Sequence, residues 1–328
     1  MSILHIVSPL IMASRFGCID EVNKLIKNGV DVNKCDHRGN CPLYRAAQNG
    51  HIDVVLVLIA SGANINIFNH GGFTPVYAAS EYGHINILNL LINATPVGAD
   101  IHKCDHYGCS PLYTASEYGH IDVVIALINA GANVNTCNYD GNSPLYVAVQ
   151  GNYTNIVDIL INATPVSADI NKCDNIGWTP LLLASQNGHI DVVKLLIKNG
   201  ANINKYNNIG CTPLLLASQN GHIEIVKLLI KNGANINKLT NDKISSLFLA
   251  LQNEHFDIAN ILIENGSDVY KSCCKFIIEK ENNNEICICG KEKHFICTQC
   301  KIFGYCSAKC QKKHWKSSHK KICKLICS

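Results

Sequence analysis

Apolar residues along most of this chain fall into two alternating short runs, each closed by a glycine. A clear instance starts at Gly177, GWTPLLLASQNGHIDVVKLLIKNGANINKYNN, and a near copy starts at Gly210, GCTPLLLASQNGHIEIVKLLIKNGANINKLTN. In the first run, Leu181, Leu182, Ala184 and Ser185 predict a short helix with one apolar side. Thr179 is placed to cap that helix, and Pro180 suits its first turn, where no amide donor is needed. Gly188 predicts the stop, because glycine takes positive φ without strain. Ile190, Val193, Leu195, Leu196 and Ile197 predict a second, amphipathic helix, which Gly200 ends. Asn202 to Gly210 then predict an extended turn to the next unit. One such helix pair cannot bury its apolar face alone, so neighbouring pairs must stack.

The pattern is periodic. Prolines stand at Pro9, Pro42, Pro75, Pro111, Pro144, Pro180 and Pro213, at intervals of 33, 33, 36, 33, 36 and 33 residues. Another 33 residues on, Ser246 takes the same place. A period near 33 on a T-P-L core is the signature of a stacked helical repeat. Three irregularities carry information. The two longer intervals come from Ala94-Thr-Pro-Val-Gly98 and Ala163-Thr-Pro-Val-Ser167, whose prolines are barred from a helix interior and so predict small bulges after the second helix. Residues 104–172 repeat 35–103 at an offset of 69, the trace of a duplicated two-unit block. The end units are atypical, with no glycine before Ser8-Pro9 and with Glu254 where glycine is expected, and they read as caps.

Residues 1–270 resemble the ankyrin repeat family in about eight units. The residues that carry the resemblance are Thr179 to Leu181, Gly188-His189 and the LLIKNGANIN stretch from Leu195. The family has histidine after T-P-L, where this chain has Tyr44, Tyr113 and Tyr146, or Leu182 and Leu215, an exchange expected to trade a hydrogen bond for bulkier packing. The recurrent His51, His84, His120, His189 and His222 are expected to cap the short turn between helices. The resemblance implies a concave partner surface made of turn tips and first helices. Carried onto this chain, it includes His37, Arg38, Gln48, His70, Glu81, His106, Glu117, Tyr139 and Gln186, with Phe73, Tyr82, Tyr107, Tyr118 and Trp178 as aromatic anchors.

The charge is uneven. Of 28 basic and 25 acidic residues, residues 287–328 hold ten lysines and one acid, Glu292, so a +9 tail follows a −6 body. The cysteines are uneven too: of 18, eight lie in those last 42 residues. Cys35, Cys104, Cys137 and Cys173 share one repeat position. Adjacent rungs lie roughly 8–10 Å apart, beyond the ~7 Å Cα limit for a disulfide. These thiols are therefore expected to be free, which points to a reducing intracellular compartment, cytoplasmic or nuclear. No apolar run reaches the ~18 residues of a membrane span. The start, MSILHIVSPLIM, lacks the positive region of a signal peptide.

The tail reads CICGKEKHFICTQCKIFGYCSAKCQKKHWKSSHKKIC from Cys287 to Cys323. Its pairs Cys297-x2-Cys300, Cys306-x3-Cys310 and His319-x3-Cys323 have the spacing that closes on tetrahedral Zn²⁺. Eight candidate ligands make two sites of four. So short a segment buries too little apolar surface to fold alone, so metal must supply the folding free energy. Residues 287–323 resemble the MYND zinc finger through Cys289-Gly-Lys, Cys297-x2-Cys300, Tyr305-Cys-Ser, Cys310-Gln, Trp315 and His319-Lys-Lys-Ile-Cys323. The resemblance implies cross-braced ligation: Cys287, Cys289, Cys306 and Cys310 on one zinc, and Cys297, Cys300, His319 and Cys323 on the other. The family opens with C-x2-C, whereas this chain has Cys287-x-Cys289, which strains that turn and leaves Cys274 as an alternative. Four protein ligands leave no open position, so both ions are expected to be structural. The family docks short proline-containing peptides, and Gln311 and Trp315 match positions at that face.

No Gly-rich phosphate loop, G-x-S-x-G or H-E-x-x-H is present. Some proteins pair a MYND finger with a methyltransferase or hydroxylase domain, for which this chain has no room. The resulting expectation is a mostly α, ankyrin-repeat solenoid of helix pairs with extended turns over 1–270. A linker over 271–286 joins it to a small zinc-stabilised module over 287–323, followed by a tail over 324–328. Its expected role is that of a monomeric, non-enzymatic adaptor that binds proteins rather than nucleic acid or membrane. The runner-up is a transcriptional regulator that recruits a corepressor and whose basic finger also touches nucleic acid.

Overall fold

The computed structural model describes residues 8–268 and the strand residues 295–296 and 304–305. The chain divides into two compact units, Met1–Asn175 and Ile176–Ser328. The first holds five helix pairs: α1 (Pro9–Phe16) with α2 (Ile19–Lys27), α3 (Pro42–Asn49) with α4 (Ile52–Ala60), α5 (Pro75–Glu81) with α6 (Ile85–Ile92), α7 (Pro111–Tyr118) with α8 (Ile121–Asn129), and α9 (Pro144–Gln150) with α10 (Thr154–Ile161). The second holds α11 (Pro180–Asn187) with α12 (Ile190–Lys198), α13 (Pro213–Gln219) with α14 (Ile223–Lys231), and α15 (Ser246–Gln252) with α16 (Phe256–Glu264). It also holds β1 (Phe295–Ile296) and β2 (Gly304–Tyr305), an antiparallel pair in which Phe295 faces Tyr305 and Ile296 faces Gly304.

The predicted caps form. Thr179 Oγ1 accepts from the Leu182 amide at 3.3 Å, and Thr74, Ser110, Ser143, Thr212 and Ser245 do the same for α5, α7, α9, α13 and α15. Cys41 serves α3 with its sulfur at 3.3 Å, whereas Ser8 makes no side-chain cap to α1. Each cap satisfies an amide that the helix itself cannot, worth about 1 kcal/mol. The first helices are more deeply covered than an amphipathic reading allows: every residue from Pro180 to Ser185 is buried. The reason is position. Within a unit, α5 packs against α3 on one side, α7 on the other and α6 behind, so little of it remains for solvent. The second helices do keep a single buried stripe, such as Val192, Val193 and Leu196 in α12.

Within each unit, asparagine side chains join most neighbouring pairs. Asn135 Nδ2 donates to the Ser167 carbonyl at 3.0 Å while its Oδ1 accepts the Asp169 amide at 2.7 Å. Asn33, Asn66, Asn204 and Asn237 make the same two-pronged bond to their neighbours. The turn tips add one backbone bond per step, for example Tyr139 N–H to the Tyr107 carbonyl at 3.0 Å. Each tip is shaped by its own acid or amide: Asp105 Oδ1 accepts the Tyr107 and Cys109 amides at 2.9 and 2.8 Å.

The histidines correct an expectation. None of them caps its own turn through its side chain. Instead His51, His84, His120 and His222 reach back, and their Nε2 atoms meet the carbonyls of Arg15, Gln48, Glu81 and Gln186 at 2.8–3.2 Å. A carbonyl only accepts, so Nε2 carries the proton in each. The ring also covers the preceding glycine: a Cβ on Gly188 would lie 2.6 Å from His222. Glycine is thus required there twice, by φ of +80° and by the imidazole above it.

The two insertions lie after α6 and α10, as expected, with cis Thr95-Pro96 and Thr164-Pro165 bonds and with Val97 and Val166 exposed. Where glycine fails, Asn152, Lys243 and Glu254 take φ of 58–60°. The described repeat cysteines, Cys35, Cys104, Cys137 and Cys173, are free thiols.

Two glycines separate the backbone and contact costs. Gly200 also has positive φ, but a Cβ there meets nothing within 4 Å. Gly200→Ala should cost about 1 kcal/mol and Gly188→Ala at least about twice that, read from urea unfolding. Equal costs would mean that the His222 ring yields freely.

Candidate functional site

In the first unit, the ends of the first helices and the turn tips gather polar aromatic residues. Beneath them runs a row of tyrosines, Tyr44, Tyr77, Tyr113 and Tyr146, at the position after T-P-L; Tyr77 belongs to this set and was missed by the sequence reading. These rings do not simply trade a hydrogen bond for packing. Tyr77 Oη donates to Asp105 Oδ2 at 3.2 Å, Tyr113 Oη accepts from Asn138 Nδ2 at 3.3 Å, and Tyr146 bonds the Asp174 side chain. A phenol is long enough to fill the space and still reach the next tip. Burial pushes the Tyr44 and Tyr146 hydroxyls up to about 12, with Glu81 and Asp174 adding to it respectively, so all remain protonated donors. Tyr77 and Tyr113 are raised for the same reason.

Above this row stand the expected anchors. Tyr107 and Tyr139, on the tips, are 70% and 74% exposed, and Tyr82 and Tyr118, at the ends of α5 and α7, are about half exposed. Phe73 is half-buried and packs on Tyr77, with ring centroids 4.8 Å apart. Trp178, in the second unit, is also half-buried, packed against the cluster of Leu182, Leu215 and Phe248. The structure therefore leaves Tyr82, Tyr118, Tyr107 and Tyr139 about half or more exposed, with Tyr82 Oη accepting a 3.4 Å bond from Gln48 Nε2, whereas Phe73 and Trp178 spend much of their surface on the fold.

The carboxylates of this face differ in how they are compensated. Burial tends to raise Asp36, but bonds from the Asn40 side chain and amide and from the Arg38 amide outweigh it, with Arg45 Nη2 3.8 Å away, and Asp36 ends below its ordinary range. Glu81 has no such help: burial raises it first, then the charges of Glu117 and Asp105. Glu117 is likewise raised, by desolvation and by Asp105. Burial with Asp105 and Glu117 also pushes the Cys109 thiol up to about 12, so it is inert. The acidity of the body lies wholly in this unit. Residues 1–175 carry fourteen acidic and eight basic residues, whereas 176–268 carry seven of each.

A cleft of about 920 Å³ lies elsewhere, between α4 and α6, lined by Leu56, Ile59, Leu90 and Asn93. No group of three or more metal-ligating side chains occurs among the described residues. The expected zinc ligands Cys287, Cys289, Cys297, Cys300, Cys306, Cys310, His319 and Cys323, with Gln311 and Trp315, lie outside the described residues. In sequence, β1 and β2 bracket the Cys297 and Cys300 pair. Seven thiols and one imidazole form a donor set suited to zinc in closed structural sites.

Stacked helix pairs that, in the first unit, expose polar and aromatic residues at their turn tips and first-helix ends define a repeat-built binding scaffold. A family model for ankyrin repeats matches residues 10–103, 95–171, 130–207, 166–240 and 204–273, and the chain belongs to the ankyrin-repeat family. The MYND finger model matches residues 285–323, which implies zinc binding there. Over 40 residues in the MYND region the chain is 55% identical to Histone-lysine N-methyltransferase SMYD3 of Homo sapiens and 52% identical to that of Mus musculus. That stretch is 12% of this chain and 9% of each relative. Both matched family types are interaction modules, not catalytic ones, and no helix among the described residues is long and apolar enough to cross a membrane.

A raised carboxylate marks a site that ionises at a cost to the fold. Because Glu81 sits above its unfolded value, the stability it contributes is present at low pH and is lost as pH rises through the folded value. Glu81→Gln should therefore be more stable than the parent at pH about 7, with the difference vanishing below pH about 4. Thermal melts at both pH values check this, and a variant less stable at neutral pH would contradict it.

Proposed function

We propose that this protein is a non-enzymatic adaptor. The ankyrin face binds one protein, and the MYND finger docks a proline-containing segment of another through Gln311 and Trp315. The observation that supports it is the concentration of exposed rings on the first unit's tips and first-helix ends, at Tyr82, Tyr107, Tyr118 and Tyr139, each with about half or more of its surface open to solvent. Aromatic residues of this kind dominate interface energetics. Two binding modules on one chain raise the effective concentration of one partner for the other without new contacts. The finger holds two structural zinc ions, Cys287 completing the first with Cys289, Cys306 and Cys310. The compartment is intracellular, in keeping with the free thiols of the repeats.

The test separates the modules. Purified full-length protein should carry two zinc ions per chain by elemental analysis, and a value of one would mean that Cys287 does not complete its site. Cys300→Ser should lower zinc content yet leave helical circular dichroism nearly unchanged, since every described helix ends by Glu264. In proximity labelling, Cys300→Ser should remove one set of neighbours, and replacing Tyr82 and Tyr118 a different set. Identical losses from both changes would sink the two-surface reading. Binding to DNA with a steep salt dependence would instead favour a regulator that contacts nucleic acid through its basic finger.

A further inference from the structure

The last residues of the first helices repeat in four of the eight pairs; α1 and α9 depart singly, with Arg15-Phe16 and Gln150-Gly151, and two adjacent rungs depart together in the same way. Gln48-Asn49, Gln186-Asn187, Gln219-Asn220 and Gln252-Asn253 share one pair. At the same place, α5 and α7 end in Glu81-Tyr82 and Glu117-Tyr118. The fold does not ask for this exchange. Asparagine there supports its own helix, as when Asn49 Nδ2 donates to the Arg45 carbonyl at 2.8 Å and Asn220 Nδ2 to Leu216 at 2.9 Å. Tyrosine gives that bond up, and Tyr82 gains in its place only a 3.4 Å bond accepted from Gln48 Nε2. Nor does the exchange come from the duplicated block, because the residues 69 positions away are Gln150 and Gln48.

The result is a face of one chemistry. Two half-exposed phenol rings stand beside two carboxylates, close enough that the charges of Glu117 and Glu81 both act on Tyr118. Among the described residues no lysine or arginine pairs with either glutamate. From residue 46 to 171 there are nine acids and a single lysine or arginine, Lys103, whose Nζ lies 4.7 Å from the Phe68 ring centroid. The carbonyl ends of α5 and α7 add negative potential at the same spot. Rings next to unneutralised carboxylates attract ammonium and guanidinium groups through their faces and their charge together. Acidic partners, nucleic acid and anionic lipid are repelled.

Resting on the reading of this stack as a partner-binding surface, we infer that the Glu81-Tyr82 and Glu117-Tyr118 rungs are a receptor for a lysine- or arginine-bearing segment of a partner protein. Each cationic side chain lies against a tyrosine ring with a glutamate as counter-charge. An extended segment places same-face side chains about 7 Å apart, close to the roughly 8–10 Å between packed helices. Two cations separated by one or two residues therefore meet both rungs.

The probe is a labelled peptide of about twelve residues alternating lysine and glycine, titrated against the full-length chain by fluorescence anisotropy, with a glutamate–glycine peptide as its counterpart. The lysine peptide should bind and the glutamate peptide should not. Glu81→Gln with Glu117→Gln, and separately Tyr82→Asn with Tyr118→Asn, should each weaken binding about tenfold or more. Both pairs copy the other rungs, and a thermal melt confirms that they fold. Removing two exposed acids on the outer helices, by Asp53→Asn with Asp122→Asn, should leave binding as in the parent. Equal binding of both peptides, binding of neither, or equal weakening by the inner and outer pairs would overturn the inference. If the lysine peptide fails while Tyr82→Asn with Tyr118→Asn still removes labelled neighbours, the cation receptor falls and the partner surface stands. If neither responds, both fall.

Discussion

No helix pair in this protein can cover its own apolar face, and the rest of the structure follows from that. Each first helix is buried because neighbours flank it, as α5 is flanked by α3 and α7. Leucines such as Leu43, Leu112 and Leu145 contribute about 1.5–3 kcal/mol each only once the next pair is in place. The directional bonds share this dependence. Asn135 and His120 bond the backbone of adjacent pairs, and neither bond exists inside an isolated pair. Apolar burial supplies the drive. The asparagine and histidine stitches set the register.

Within that constraint the chain separates positions that hold the stack from positions that are spare. The tyrosine row shows how closely the two can lie. Tyr77 fills the space beneath the tips and also donates to Asp105, so it belongs to the fold. Five residues further on, Tyr82 is about half exposed, and the one hydrogen bond of its hydroxyl among the described residues is a long one, accepted from Gln48 Nε2 at 3.4 Å. Asp36 and Glu81 make the same contrast among carboxylates: the first is held down by amides and a guanidinium, the second is raised by burial and like charge. A group held at a cost to stability, where five of the other seven rungs carry a neutral glutamine, reads as selected for something outside the fold.

The two modules draw on different sources of folding free energy. The repeats rely on burial and on neighbours. The finger, with seven thiols and one imidazole among its candidate ligands, relies on metal. Damage to one therefore need not spread to the other, which suits the adaptor proposed above.

Period, caps, glycine stops and the extra prolines were legible in the sequence because each depends on residues a few positions apart. Thr179 and Pro180 start a helix wherever they occur, and an x2 or x3 spacing of thiols suggests zinc without knowledge of the fold. The finer roles were not legible. The histidines looked like local caps, the tyrosines like packing, and Tyr77 was passed over, because their partners lie 25 to 39 residues away. The recurrence of one asparagine per unit was visible, but its purpose was not. The sequence by itself determined that this is a stack of helix pairs carrying a cysteine-rich finger, since local patterns suffice for that. Only the tertiary structure decided which polar groups are consumed between neighbouring pairs and which, like Glu81 and Glu117, stand without a counter-charge among the described residues, because that depends on distances across the stack.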